Sequence, residues 1–228
     1  MKNNSFFIIF FVFVSLFLVE ITFFEKGEIL LLINNNRTLF FDNYFAFLTI
    51  FGDGLIFLPL TITLLFFKYK YSIASVLAFL FHGIPVVIIK NFIAPDLVRP
   101  KLYFSDPTLL NTLEGISLHG HHSFPSGHTA TAFAAFLLLG QLSNKNWIKW
   151  VCLSIAISVG ISRVYLLQHF TIDVIVGAFI GYLAFYFSYQ IFNRKLNKNW
   201  MNKRIIIPEL PKPKVSPSLR YSRRNNKL

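Results

Sequence analysis

The length of this chain's uncharged runs constrains its fold more than any other feature. Apolar residues follow one another with few charges from Phe6 to Phe24, and again from Tyr44, Tyr71, His128, Ile148 and Ile172. The runs lack the period-two alternation of a membrane barrel strand, and they are too uniformly apolar to be the one-sided stripes of a soluble bundle. In lipid, a stretch of about 20 such residues satisfies its own backbone only as a helix. The chain therefore reads as an all-α integral membrane bundle of six helices: about Phe6–Phe24, Tyr44–Phe67, Tyr71–Ile89, His128–Leu142, Ile148–Ile161 and Ile172–Ile191. The fourth and fifth are short and are expected to extend by a turn into their loops. Composition agrees, since 14% of the residues are charged where a soluble domain carries about a quarter.

The first run has the charge pattern of a signal peptide. It lacks a short apolar core with a small-residue cleavage site, and Glu20 and aromatic residues follow instead, so it is taken as a retained helix. Residues 1–204 read as one transmembrane domain. Residues 205–228 read as a disordered basic tail, in which Arg220, Arg223, Arg224 and Lys227 alternate with Pro208, Pro211, Pro213 and Pro217. The net charge of +12 is mostly there. It is read as a topology signal resting on anionic headgroups, with no nucleic-acid partner. Lys2, Lys68, Lys70, Lys145, Lys149 and the tail share one set of connections; Glu20, Glu25, Glu28, Asp42, Asp96, Asp106 and Glu114 share the other. The positive-inside rule then puts both termini in the cytoplasm. It turns outward the loop from Asn91 to Pro125 and the turn between the fifth and sixth helices. That long loop, with Leu109, Leu110, Leu113 and Ile116, is expected to form a short membrane-surface helix and to lid whatever lies beneath it. Pro85 is expected to kink the third helix. Asp42, Asn43 and Asp53-Gly54 have no assigned role. Cys152 is the only cysteine, which excludes a disulfide or a cysteine-ligated metal site within one chain.

Three clusters of polar residues lie on the outward side. Pro125-Ser126-Gly127-His128 opens the fourth helix. A helix start exposes unpaired amides and the positive end of the dipole, which suits an anion. Gly127 admits a close backbone approach, Ser126 can cap the helix or donate to a phosphate oxygen, and His128 projects from the first turn. His169 and Asp173 are four apart, so a helix puts them on one face; the carboxylate can hold one ring nitrogen and leave the other free to attack. Lys90, Arg99 and Arg163 complete the set. Snorkelling to headgroups would account for basic residues at helix ends. Yet the outer side carries few of them (Lys26, Arg37, Lys90, Arg99, Lys101 and Arg163), and most flank these clusters. A guanidinium fork matches two phosphate oxygens and a lysine serves as a point charge, as phosphoryl transfer requires. His119, His121 and His122 form a patch beside Pro125 that is read as headgroup contact and not as a metal site. His82 is expected to be a packed, hydrogen-bonded histidine.

Together these clusters resemble the signature of the type 2 phosphatidic acid phosphatase superfamily, which includes membrane lipid phosphatases and soluble vanadium haloperoxidases. The family pattern is a lysine and Arg-Pro, then Pro-Ser-Gly-His, then Ser-Arg-x5-His-x3-Asp. It is met at Arg99-Pro100, Pro125–His128 and Ser162-Arg163…His169…Asp173. Asn91 through Val98 separate Lys90 from Arg99, a longer stretch than the family pattern, which a turn at Pro95-Asp96 would absorb. The resemblance implies that His169 attacks phosphorus, Asp173 orients it and His128 protonates the leaving oxygen. Lys90, Arg99, Ser126, Gly127 and Arg163 would hold the phosphoryl oxygens, with no cofactor and no metal. It implies a phosphatase acting on a membrane lipid phosphate; the charge distribution puts the site at the periplasmic face, and the Phe-, Asn- and Lys-rich composition points to a bacterial inner membrane. The short six-helix form and the His122-Ser123-Phe124-Pro125-Ser126-Gly127-His128 context resemble the lipid A phosphatases, with undecaprenyl diphosphate close behind as substrate and phosphatidylglycerophosphate and phosphatidate after them; the oligomeric state is not legible. A non-enzymatic anion-binding or transport protein is the alternative of a different class. Haloperoxidase chemistry fits poorly with so apolar a chain.

Overall fold

In the computed structural model, residues 3–205 are described apart from Asn197, with side chains from Phe11 onward except Pro107. The regular elements among the described residues are all helices, with no strand. In chain order the helices are α1 (Asn3–Phe23), α2 (Glu28–Asn35), α3 (Leu39–Leu48), α4 (Phe57–Leu65), α5 (Tyr69–Ile88), α6 (Pro100–Tyr103), α7 (Gly127–Leu142), α8 (Asn146–Tyr165) and α9 (Thr171–Lys195). The tail from residue 206 lies outside the described residues, and with it the expectation of a disordered segment.

Among the described residues, three helices are long and apolar enough to cross a bilayer: Tyr69–Ile93, Asn146–Tyr165 and Thr171–Lys195. A fourth crossing is made if Leu39–Gly52 and Gly54–Leu65, bent 60° to each other, count as one. The expected second helix is therefore not continuous. It breaks at Asp53, whose extended backbone separates the turn Thr49–Gly52 from the turn Gly54–Ile56. Helix α5 keeps Pro85 inside it and runs on as a π-helical turn over Ile89–Ile93.

Helix α7 is the hub. It packs against α5, α8 and α9, and every residue from Thr129 to Phe136 is buried. This explains why it is short: its surroundings are protein, so it does not need a full span of lipid-facing side chains. Ala130, Ala132, Ala134 and Ala135 let its neighbours come close. The closest approach is to α9. A Cβ at Gly177 would lie 2.4 Å from the Ser126 carbonyl oxygen, and one at Gly181 the same distance from that of Ala130. Gly177 and Gly181 thus form a small-residue seam, one turn apart, that sets the start of α9 on the start of α7. Apolar side chains fill the remaining space, chiefly Phe57, Leu138, Tyr182 and Phe185 on one side and Phe133, Phe136 and Val159 on the other.

The outer loop corrects one expectation. Its helical pieces are α6 and a turn at Pro107–Leu109, and no helix covers residues 110–116. Leu110 instead packs with Leu30, Val164, Leu167 and Phe170, while Leu113 and Ile116 lie against Phe45, Tyr165 and Leu166. A reciprocal pair fastens the loop to α2: Asn34 Nδ2 donates to the Asn111 carbonyl at 2.9 Å and the Asn111 amide returns to Asn34 Oδ1 at 2.8 Å. Burying these side chains against the protein competes with laying them on a membrane, and here burial wins. Asp42, unassigned from sequence, is also structural. It pairs with Arg37 at 2.9 Å and accepts from Tyr165 Oη at 2.7 Å.

Candidate active site

The turn between α8 and α9 folds back on itself. Leu167 takes a positive φ of 57°, and the Gln168 and His169 amides both donate to the Arg163 carbonyl, at 2.9 and 3.1 Å. That return stacks His169 over Arg163, which is what the Arg-x5-His spacing encodes. Asp173 then sits in the first turn of α9, where its carboxylate accepts from the Phe170 amide at 3.0 Å and favours the positive helix end. Its Oδ2 lies 3.4 Å from His169 Nδ1, a close contact short of a formed hydrogen bond. Nε2 of His169 has no hydrogen-bond partner among the described residues. His169 is 1% exposed. Burial pushes its imidazole down to about 3, against the opposing pull of Asp173, so at neutral pH the ring carries an unprotonated nitrogen.

Arg99 is held from two sides. Its Nε donates to the His121 carbonyl at 3.0 Å, and its Nη1 donates to both the carbonyl and Oε1 of Gln168 at 3.1 Å. Nη2 has no partner among the described residues. Burial disfavours the Arg99 charge and Asp173 offsets this. Lys90 lies in the π-helical turn, and its Nζ donates to the His122 carbonyl at 2.8 Å. The extra residues between Lys90 and Arg99 are taken up by that turn and by a second one at Pro95–Asp96, as the sequence suggested. A π-turn of this kind is often found at functional sites. Arg163 is 7% exposed. Its Nη1 donates to Thr49 Oγ1 at 2.6 Å, whereas its Nε is buried with no partner. An orphaned, buried, charged donor is costly and rare; an anion beside it removes the cost.

At the start of α7, Ser126 is wholly buried and acts as the cap. Its Oγ accepts from the Thr129 amide at 3.4 Å and shares a 2.8 Å hydrogen bond with Thr129 Oγ1. Its own amide donates to the Asp173 carbonyl at 2.9 Å, tying the two helix starts together. A Cβ at Gly127 would meet Val86 Cγ1 at an ordinary 3.5 Å. Protein packing therefore does not demand the glycine, which leaves room on that side for a ligand.

The structure brings the sequence-predicted residues together. Lys90, Arg99 and Arg163 act electrostatically on one another, and all of them act on His128; Arg99 and Arg163 also act on His169. It also adds residues that the sequence did not single out: Ser123, whose Oγ donates to Asp173 Oδ2 at 2.5 Å, Gln168 on Arg99, and Thr49 on Arg163. These polar side chains have no motif of their own; Ser123, two residues before Pro125, and Gln168, directly before His169, had a positional cue. The histidine patch enters mainly through its backbone: the His121 and His122 carbonyls hold Arg99 and Lys90. No group of three or more His, Cys, Asp or Glu side chains is placed to hold a metal ion among the described residues. His82 is buried, with Nδ1 against the Ala78 carbonyl at 3.0 Å and Nε2 against Thr131 Oγ1 at 3.1 Å, a packed histidine as expected.

The sequence pattern of the PAP2 superfamily matches residues 56–197. An undecaprenyl-diphosphatase of Sulfolobus acidocaldarius is 30% identical over 166 residues, which is 72% of this chain and 77% of that protein. A lipid A 1-phosphatase of Porphyromonas gingivalis is 40% identical over 72 residues, 31% of this chain but 16% of the other. The crystal structure of Aquifex aeolicus LpxE superposes with a TM-score of 0.65 at 31% identity, covering 74% of this chain and 97% of that one.

Proposed function

Because this chain belongs to the PAP2 superfamily, we propose that it removes phosphate from a membrane lipid through a phosphohistidine. The observation that carries the reading is the convergence of Arg99 and Arg163, with the unpartnered Nε of Arg163, on a buried neutral His169, with Lys90 close to both arginines and to Asp173.

In the proposed reaction the three cations and the Gly127 and His128 amides hold the phosphoryl oxygens, and Ser126 shapes that cradle by capping it. Nε2 of His169 attacks phosphorus while Asp173 accepts from Nδ1. The N–P bond forms as the P–O bond to the lipid breaks; the bonding pair stays on the leaving oxygen, which takes a proton from His128. Water then attacks phosphorus and gives a proton back to His128; the N–P bond breaks, its pair returns to Nε2 of His169, and phosphate is released. Little covalent work falls to the protein, because positioning and charge lower most of the barrier.

The topology we propose is six membrane crossings within residues 1–204, both termini cytoplasmic and the site at the periplasmic face of a bacterial inner membrane. It rests on the one-sided distribution of basic residues. A lipid substrate then reaches the site laterally. A lipid A phosphate and undecaprenyl diphosphate are the leading candidates, in keeping with the relatives named above; phosphatidylglycerophosphate and phosphatidate follow.

The test is phosphate release by detergent-purified protein, with chelator present, from these four lipids, alongside His169→Ala. Release that disappears in the variant supports a metal-independent phosphohistidine enzyme and names its substrate. Release that persists in the variant overturns the role of His169, and folded protein inert on all four favours an anion-binding or transport function.

A further inference from the structure

The guanidinium of Arg163 is held by one nitrogen. Nη1 donates to Thr49 Oγ1 at 2.6 Å, while Nε is buried with no partner and Nη2 has none among the described residues. Which nitrogen is held matters. The N–H groups of Nε and Nη2 lie parallel on one edge of the planar group, and that edge is a fork that matches two oxygens of a phosphate. Nη1 lies off this edge. A partner on Nη1 therefore fixes the guanidinium and leaves the fork unoccupied. A carboxylate in the same place would also take up the charge of the arginine. A hydroxyl accepts the N–H and leaves the charge for an anion.

Thr49 lies 114 residues from Arg163 in sequence, at the 60° break in the second membrane segment. It falls outside residues 56–197, the part of the chain that matches the family. Its backbone is well anchored. The Thr49 amide closes α3 by donating to the Phe45 carbonyl, and the turn Thr49–Gly52 that it opens packs on both α7 and α8. Gly52 allows that turn to sit close. A Cβ there would lie 2.8 Å from Val159 Cγ1 on α8 and 2.9 Å from His128 Cβ on α7. The turn is thus seated on the two helices that carry Arg163 and His128, with no room to shift toward either.

We propose that Thr49 is a positioning residue for Arg163, holding the guanidinium by Nη1 so that its Nε–Nη2 fork takes two oxygens of the phosphoryl group. This rests on the reading of the site as a phosphoryl cradle. It makes the broken second segment a wall of that cradle, one that sets the direction of a cation lying on another helix.

Orthovanadate, a phosphate analogue, tests this without turnover. Its affinity is read from the rise it causes in the thermal unfolding midpoint of the full-length protein in detergent. The unsubstituted protein is compared with Thr49→Val, Thr49→Ser, Arg163→Lys and the double variant of Thr49→Val with Arg163→Lys. Valine keeps the shape and removes the acceptor, serine keeps the acceptor, and lysine keeps the charge and removes the fork. Thr49→Ala takes the place of Thr49→Val if that variant does not fold. Thr49→Val is expected to bind vanadate about tenfold more weakly, and Thr49→Ser within about twofold of the unsubstituted protein. Once Arg163 is replaced by lysine, Thr49→Val is expected to cause no further loss. Equal losses in the two backgrounds would reduce Thr49 to a packing residue and overturn the proposal. So would an unchanged affinity in Thr49→Val, or a loss in Thr49→Ser as large as that in Thr49→Val. If this pattern is seen in a protein that releases no phosphate from lipid, the role of Thr49 is supported and the phosphatase reading alone is overturned. If the unsubstituted protein does not bind vanadate, the cradle is overturned and this proposal with it.

Discussion

Ser123 donates a 2.5 Å hydrogen bond to Oδ2 of Asp173, the same oxygen toward which His169 Nδ1 points. The carboxylate is therefore fixed by a hydroxyl from the outer loop and by the Phe170 amide, and its freedom to turn from the histidine is small. A hydrogen bond to a charged group contributes about 1.5–3 kcal/mol. Ser123→Ala is expected to lower kcat by about tenfold or more with KM nearly unchanged, since it loosens the carboxylate beside His169, the proposed nucleophile. Steady-state kinetics on the cleaved lipid checks this; a rise in KM alone would contradict it.

Gln168 controls a different quantity. Its Oε1 holds Arg99 Nη1, and its Nε2 is anchored to the Ser117 carbonyl at 2.9 Å. Gln168→Leu keeps the volume and removes both links, so Arg99 swings more freely. The expected result is a KM several times higher and a weaker inhibition by vanadate, with a smaller change in kcat. Inhibition constants for both proteins decide it.

Gly177 permits the contact on which the site depends. A Cβ there meets the Ser126 carbonyl oxygen at 2.4 Å, and backbone cannot step aside cheaply. Gly177→Ala is expected to destabilise the protein by about 1–3 kcal/mol and to depress activity beyond what the lost stability explains, because it parts the two helix starts. Thermal unfolding in detergent, with activity measured well below the midpoint, separates the effects. A fully active variant of unchanged stability would refute the seam.

The buried state of His169 gives a pH signature. Its pKa falls from an ordinary 6.5 to about 3 on folding. Between those values the unfolded chain holds a proton that the folded one lacks. Stability therefore falls as pH drops through this window and is insensitive to this group above it, with a slope of at most about 1.4 kcal/mol per pH unit. The unfolding midpoint of His169→Gln is expected to fall less than that of the unsubstituted protein between pH 6.5 and pH 4.5. Parallel curves would show that the histidine is not held neutral.

The residues of the site were readable in the chain because their chemistry is tied to short spacings. His169 and Asp173 share a face by helical geometry alone, Ser126 and Gly127 mark a helix start wherever they occur before an apolar run, and Arg163 ends a helix that returns to His169. The apolar runs likewise specified helices, since lipid leaves the backbone no other partner. What the sequence could not specify depended on long-range contact. The second segment breaks at Asp53 because its turns pack on α7; Leu110, Leu113 and Ile116 of the outer loop turn inward because α2, α3 and the α8–α9 turn offer them a surface. Ser123, Gln168 and Thr49 carry no periodic signal, and each becomes legible only when a partner 50, 69 or 114 residues away is brought to it. Local spacing marked the groups proposed to do the chemistry; the approach of α9 to α7 across Gly177 and Gly181 decided which groups hold them in place.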